Sequence, residues 1–158
     1  MKKAENALII CTDKRLIGRY ERVLRDMEID IDIEYVGNRF GANIEASLNY
    51  IDQFREQGKE IIITRGFMAQ EIRKKLDFKV MEISVSSFDV LSAIYPYAGK
   101  DVRMAAIECR SFIDVIMPVA NMLGIEVRPY VVEKFQDFYD FFRQAVNDGA
   151  DVICGGAM

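Results

Sequence analysis

Polar side chains and one arginine follow the ends of two consecutive predicted strands. The first strand is the β-branched run at residues 61–63, and the second is residues 79–83. The residues that follow these strands are Thr64, Arg65, Gly66, Ser86, Ser87 and Asp89. Carboxyl ends of parallel strands meet at one edge of a sheet, and ligands bind at that edge in open α/β folds. The sequence therefore predicts a ligand-binding site formed by these residues.

Arg65 supplies the charge at this predicted site. A guanidinium at a strand end can hold a carboxylate or a phosphate through two parallel hydrogen bonds, and the N-terminus of the following helix assists. The alternative for Arg65 is an ion pair with an acidic neighbour. The hydroxyl residues have an alternative role as helix caps, since Ser86 and Asp89 have the spacing of a capping box. For Gly66 the alternative is a tight turn.

Two glycines, Gly155 and Gly156, follow the last predicted strand at residues 151–154. Glycine lets a ligand approach the backbone closely, so both belong to the predicted site, although glycine also simply ends strands. The spaced glycines of the dinucleotide-binding fingerprint are absent after the first strand, and the glycine-lysine-serine phosphate loop is absent as well. We therefore predict no cofactor.

Two cysteines suggest an alternative function, that of an enzyme. Cys11 and Cys109 each lie near the end of a predicted strand, in successive halves of the chain. Cofactor-independent racemases and isomerases use two facing thiols to remove and return a proton. That chemistry requires thiol pKa values lowered by cations or helix N-termini. The alternative for both residues is a small buried hydrophobic side chain.

The composition excludes several kinds of site. The chain of 158 residues has no histidine, so Ser-His-Asp or Cys-His catalysis and His-based metal sites are excluded. Its three cysteines are far apart and are predicted to be reduced, as in the cytoplasm. The formal net charge of −4 argues against a nucleic-acid surface, and no apolar run reaches the roughly 18 residues that span a membrane. We therefore predict a cytoplasmic domain without metal, direct nucleic-acid binding or membrane attachment.

Seven predicted strands alternate with six predicted helices through short turns. This alternation of strands and helices is typical of an α/β fold built from right-handed β-α-β units, with helices on both faces of a parallel sheet. Residues 96–101 combine proline and glycine between a helix and a strand, so we predict a first α/β lobe at 1–98 and a second at 99–158. A response-regulator receiver has the same alternation of strands and helices, but it needs an aspartate at the end of the third strand. This chain has Thr64-Arg65-Gly66 there, so it is not predicted to be a receiver.

The chain resembles the N-terminal sensor domain of propionate-catabolism activators, which are bacterial sigma-54-dependent transcription regulators. The signature is a strand followed by Thr64-Arg65-Gly66, and then a second strand followed by serine, an aromatic residue, Asp89, a branched residue and leucine. The resemblance covers nearly the whole chain, and its segments are residues 61–66, 80–83, 86–91, 102–107 and 150–156.

The resemblance implies two α/β lobes similar to the type I periplasmic-binding architecture, with a small effector in the cleft between them. Arg65 would hold an organic acid or a similar anion, with Gly155 and Gly156 on the opposite lobe. The signal would pass to separate AAA+ ATPase and helix-turn-helix domains, so the expected function is effector sensing and not catalysis. Because the family domain continues past these glycines, the second lobe is expected to be incomplete, and an exposed apolar face there could drive homodimerisation.

Overall fold

The computed structural model describes residues 2–37 and 43–155. Within these ranges the chain forms seven strands and six α-helices, and the paired strands are parallel, so the predicted α/β fold is confirmed. Two compact units make up the chain, and the division between them falls between Ile83 and Ser84.

The first unit is built on a four-stranded parallel sheet. Its strands are β1 (Lys2–Cys11), β2 (Ile29–Tyr35), β3 (Ile61–Thr64) and β4 (Lys79–Glu82). Its helices are α1 (Lys14–Asp26), α2 (Ile44–Asp52) and α3 (Gly66–Lys75), and a short 3-10 helix follows α2 at Gln53–Arg55. The strand order is β2-β1-β3-β4.

The core of the first unit lies around β1 and β3. Residues 7–11 of β1 are all buried, as expected for a strand with a neighbour on each side in a helix-covered sheet. Strand β2 lies at the edge of the sheet, and its residues 29–33 alternate between partly buried and exposed, as its alternating apolar and acidic sequence favours. The buried cluster consists of Leu8, Ile10, Val36, Leu48, Ile51, Ile62, Met68 and Ile72.

The second unit is built on a three-stranded parallel sheet. Its strands are β5 (Met104–Glu108), β6 (Val127–Val131) and β7 (Val152–Cys154). Its helices are α4 (Ser87–Ile94), α5 (Arg110–Leu123) and α6 (Asp137–Asn147), with a short 3-10 helix at Tyr95–Tyr97. The strand order is β6-β5-β7. Pro129 lies in the edge strand β6, where its missing N–H group costs the sheet least.

Helix α4 belongs to the second unit, although the predicted boundary at residue 98 assigned it to the first lobe. Val90 and Ile94 pack with Met104, Ile113 and Ile116 in the core of the second unit. The proline and glycine that suggested a linker lie in the short connection between α4 and β5. The boundary between the units lies before α4 because the apolar face of this helix packs in the second unit. The turn after the helix does not decide where the helix packs.

Candidate functional site

The strand order of the first unit creates a topological switch point between β1 and β3. From β1 the chain passes through α1 to β2 on one side, whereas β3 pairs with the other side of β1. Ligands of open α/β sheets bind outside the carboxyl ends of the strands at such a point. The segments that emerge there are residues 12–13 after β1 and Arg65 after β3. The topology therefore favours ligand binding beside Arg65.

Thr64 joins the two strands at the switch point. It is only 1% exposed, and its Oγ1 donates a hydrogen bond of 2.8 Å to the backbone carbonyl of Ile10. A buried hydroxyl with a backbone partner stabilises the strand ends, because leaving either group without a partner would cost free energy. Thr64 thus has a structural role next to Arg65, and its contact with a ligand stays a prediction.

The Arg65 guanidinium lies close to the hydroxyl of Tyr20 on α1, near enough to influence its pKa. Burial raises the pKa of the Tyr20 phenol, and the positive charge of Arg65 partly offsets that rise. Among the described residues no carboxylate forms an ion pair with Arg65, so the structural ion pair considered from the sequence is not formed by them. A guanidinium next to an uncharged hydroxyl keeps its charge and its donors available for an anion.

The backbone changes direction between Arg65 and Gly66. Arg65 is extended, with φ −122° and ψ 152°, and directly precedes α3. Gly66 begins the helix with φ 49°, in the left-handed region that favours glycine. Arg65 therefore lies beside the first N–H groups of α3, which have no partners within the helix and favour negative charge.

The charge of Asp13, which follows β1 at the same edge, is balanced locally by Arg15. The Asp13 carboxylate caps α1 by accepting the Arg15 N–H at 2.9 Å, and it forms an ion pair with the Arg15 guanidinium at 2.8 Å. These hydrogen bonds lower the pKa of Asp13, with a smaller contribution from the charge of Arg65. Asp13 therefore interacts mainly with Arg15 and attracts Arg65 more weakly.

Ser86 and Asp89 of the predicted site cap α4. The Asp89 N–H donates to Ser86 Oγ at 3.1 Å, and the Ser86 N–H donates to the Asp89 carboxylate at 3.1 Å, which confirms the predicted capping box. Ser87 is the first residue of the helix and is exposed. These residues lie in the second unit, whereas Thr64 and Arg65 lie in the first, so their convergence on one ligand stays a prediction.

Gly155 follows β7 and approaches the backbone of β5 closely. A Cβ added at Gly155 would lie 2.6 Å from the carbonyl oxygen of Ile107, so this position needs glycine for space. The close approach accounts for a glycine at this position even if no ligand binds there. The role of Gly155 in ligand binding stays a prediction. Gly156, the other glycine of that prediction, lies outside the described residues.

Tyr20 and Asp13 are absent from the site that the sequence predicts. The spacing of Tyr20 on α1 fits the apolar face of an amphipathic helix, which hides the role of its hydroxyl. Asp13 had a usable signal, since an aspartate directly before a helix is a common N-cap. The contact between Tyr20 and Arg65 had no such signal, because it joins residues from different elements.

The two cysteines of the alternative function are buried. Burial raises the pKa of both the Cys11 and the Cys109 thiols. The Cys11 thiol donates to the backbone carbonyl of Asp13 at 3.1 Å, and Cys109 Sγ lies 3.2 Å from Ser111 Oγ. A raised pKa disfavours the thiolate that proton transfer needs, so the geometry favours a packing role for these side chains.

We expect Cys11 and Cys109 to react slowly with a thiol reagent such as dithionitrobenzoate at neutral pH. Burial blocks access, and the raised pKa keeps both groups as thiols, so their reaction should speed up as the pH rises. The control is the urea-denatured chain, in which all three cysteines should react rapidly. Rapid reaction of both Cys11 and Cys109 in the native protein at neutral pH would support the racemase alternative instead.

Neither a metal site nor a membrane-spanning helix is found among the described residues. They contain no group of three or more cysteine and acidic side chains arranged to hold a metal ion. Their helices include none with the length and apolar character needed to cross a bilayer.

Comparison with known proteins identifies a family and a fold. The family described as "Propionate catabolism activator" matches residues 30–158, which confirms the resemblance seen in the sequence. The crystal structure of an NtrC family transcriptional regulator from Clostridium acetobutylicum matches with a TM-score of 0.72 and 15% identity, covering 99% of this chain and 78% of that chain. At this identity the similarity shows the fold alone.

A second solved structure is much less similar. It is a ligand-free, open substrate binding protein with adhesive properties from Clostridium difficile, with a TM-score of 0.39 and 14% identity over 98% of this chain and 65% of that chain. A score this low supports no argument. No curated protein sequence matches the chain significantly.

Proposed function

Because the chain belongs to the propionate catabolism activator family, it is a regulatory sensor domain of a transcriptional activator, and we propose that it binds a small anionic metabolite beside Arg65. The observation that supports this proposal most is the environment of the Arg65 guanidinium. It lies close to Tyr20, it lies at the switch point between β1 and β3, and it forms no ion pair with a carboxylate among the described residues.

The surroundings of Arg65 favour an anion with a planar, two-oxygen end. A guanidinium binds carboxylates and phosphates through two parallel hydrogen bonds, and the dipole at the N-terminus of α3 adds to the attraction. An organic acid is therefore the class of effector that we propose.

Effector binding regulates the activator by shifting a conformational equilibrium. A ligand shifts such an equilibrium only by the difference between its affinities for the two states. The conformation favoured by the effector changes how the domain acts on the AAA+ ATPase and helix-turn-helix domains of the full-length regulator. This regulation takes place in the cytoplasm and involves no catalysis by the sensor domain.

A thermal-shift screen of small carboxylates, hydroxy acids and phosphorylated metabolites tests this proposal. A ligand present at 100 times its Kd adds roughly 2.7 kcal/mol to the free energy of unfolding, which raises the melting temperature by several degrees. For a carboxylate that stabilises the wild type, Arg65→Ala should weaken binding by about 10- to 100-fold, because a hydrogen-bonded charge pair is lost.

The matched control is Arg55→Ala, which removes a partly exposed arginine in the 3-10 helix after α2. The Arg55 guanidinium lies 3.5 Å from the Asp77 carboxylate. Arg55 precedes β3 and Asp77 precedes β4, so both lie near the amino ends of these strands, whereas Arg65 follows the carboxyl end of β3. Arg55 is therefore remote from Arg65. This variant should bind the ligand as the wild type does. Equal affinity in the wild type and Arg65→Ala would show that Arg65 is not the anchor, and a flat screen would contradict the sensor function itself.

A further inference from the structure

Three large apolar side chains on α4 and the residue after it face solvent. Phe88 is 74% exposed, Leu91 37% and Tyr95 65%, and their spacing places them on one side of the helix. On the other side of α4, Val90 and Ile94 are buried in the core of the second unit. We call Phe88, Leu91 and Tyr95 the α4 stripe. An exposed, connected apolar surface of this kind is typical of an interaction site.

The α4 stripe lies in the least charged part of the chain. Residues 83–99 include a single charged residue, Asp89, although 29% of the whole chain is charged. The carboxylate of Asp89 accepts hydrogen bonds from the backbone and side chain of Ser86, so it serves the helix cap. Depletion of charge together with enrichment in aromatic side chains distinguishes the core of a protein interface from ordinary surface.

A second exposed apolar row on α6 provides a contrast. Tyr139, Phe142 and Val146 have the same spacing and are also exposed. However, Asp140 and Arg143 form an ion pair of 3.0 Å on that helix, so charged groups border the row. The two exposed rows therefore have the same spacing but differ in the charged groups beside them.

We propose that the α4 stripe is a two-fold interface between two copies of this chain. In an interface with two-fold symmetry, each residue near the axis faces the same residue or its neighbours in the other copy, so a charge there would meet a like charge. A surface without charge satisfies this condition. A charge-selected partner of another kind would instead require charged groups on this face. The inference does not depend on ligand binding at Arg65.

The size of the stripe sets the expected strength of the dimer. Three apolar side chains of this exposure can bury on the order of a few hundred Å² per copy, compared with about 800 Å² per partner in a standard interface. The stripe therefore forms the centre of a modest interface. We expect a dimer that dissociates in the micromolar range.

Two-fold symmetry also predicts which residues meet. If two α4 helices cross antiparallel with the axis between Leu91 and Ser92, Phe88 of one copy lies opposite the partner's Tyr95. The small exposed side chain of Ser92 lets the helices approach closely at the axis. This pairing can be tested by exchanging both aromatic residues for opposite charges.

Sedimentation velocity of the whole chain over about a hundredfold range of concentration tests the interface. The wild type should show a concentration-dependent dimer, and Phe88→Glu should raise its dissociation constant about tenfold or more, because it buries an unpaired charge against the partner's Tyr95. This substitution should preserve folding, since Phe88 is exposed and an acidic residue in the first turn of a helix is favourable. Circular dichroism checks that it does.

Two further variants complete the test. Phe142→Glu on α6 is the matched control and should dimerise as the wild type does, whereas Phe88→Glu combined with Tyr95→Lys should restore dimerisation through opposite charges. A monomeric wild type at every concentration, or equal weakening by Phe142→Glu and Phe88→Glu, would overturn the proposal. Failure of the double variant to restore the dimer would overturn the antiparallel pairing.

Discussion

Replacing Ile62 by alanine should lower the free energy of unfolding by about 2–5 kcal/mol, the range measured for such truncations in protein cores. Ile62 is 0% exposed, and in the sheet it pairs with Leu8 on β1 and with Val80 on β4. The shorter side chain would leave a cavity that the flanking strands cannot easily fill. Since globular domains are stable by only about 5–15 kcal/mol, this loss is a large part of the total.

Urea denaturation of wild type, Ile62→Ala and Ile62→Val measures this effect. Ile62→Val removes a single methylene group and should cost only about 0.5–1.5 kcal/mol, so the two variants give a graded series. Val23→Ala is the control for an exposed position, since Val23 is 53% exposed on α1, and it should change stability little. An Ile62→Ala variant as stable as Val23→Ala would show that β3 is not at the centre of the core.

Replacing Gly37 by alanine should destabilise the protein by about 1–3 kcal/mol, which is typical of overpacking. A Cβ at Gly37 would lie 2.1 Å from the carbonyl oxygen of Thr12, and a backbone atom cannot move aside as a flexible side chain can. Relief of this contact has to displace the turn after β1, which borders Arg65 at the switch point. We therefore expect Gly37→Ala to weaken anion binding as well as to lower the melting temperature by several degrees.

Gly18→Ala is the matched control, because it makes the same chemical change where there is space. Gly18 lies within α1, and a Cβ there would meet nothing within 4 Å. Alanine in a helix interior is more stable than glycine by roughly 0.5–1 kcal/mol, so this variant should be stabilised. The two glycine substitutions are thus expected to change the free energy of unfolding in opposite directions. No destabilisation by Gly37→Ala would contradict the close approach of the turns after β1 and β2, and destabilisation by Gly18→Ala would contradict the free space at Gly18.

The sequence by itself determined the local structure and the fold class. Runs of β-branched residues and apolar residues at helical spacing predicted the alternating strands and helices, because these patterns depend on neighbours within a few residues. The capping box of Ser86 and Asp89 was predictable for the same reason, since its hydrogen bonds span three residues. The segments 61–66 and 86–91 also identified the family correctly.

Only the tertiary structure decided what surrounds Arg65 and which unit includes α4. The contact between Arg65 and Tyr20 depends on the strand order β2-β1-β3-β4, and the alternation of strands and helices is compatible with many orders. Likewise, the proline and glycine after α4 indicate a turn, but the burial of Val90 and Ile94 decides the unit. Local patterns arise from short-range geometry, whereas these contacts join residues that only the packing of whole elements brings together.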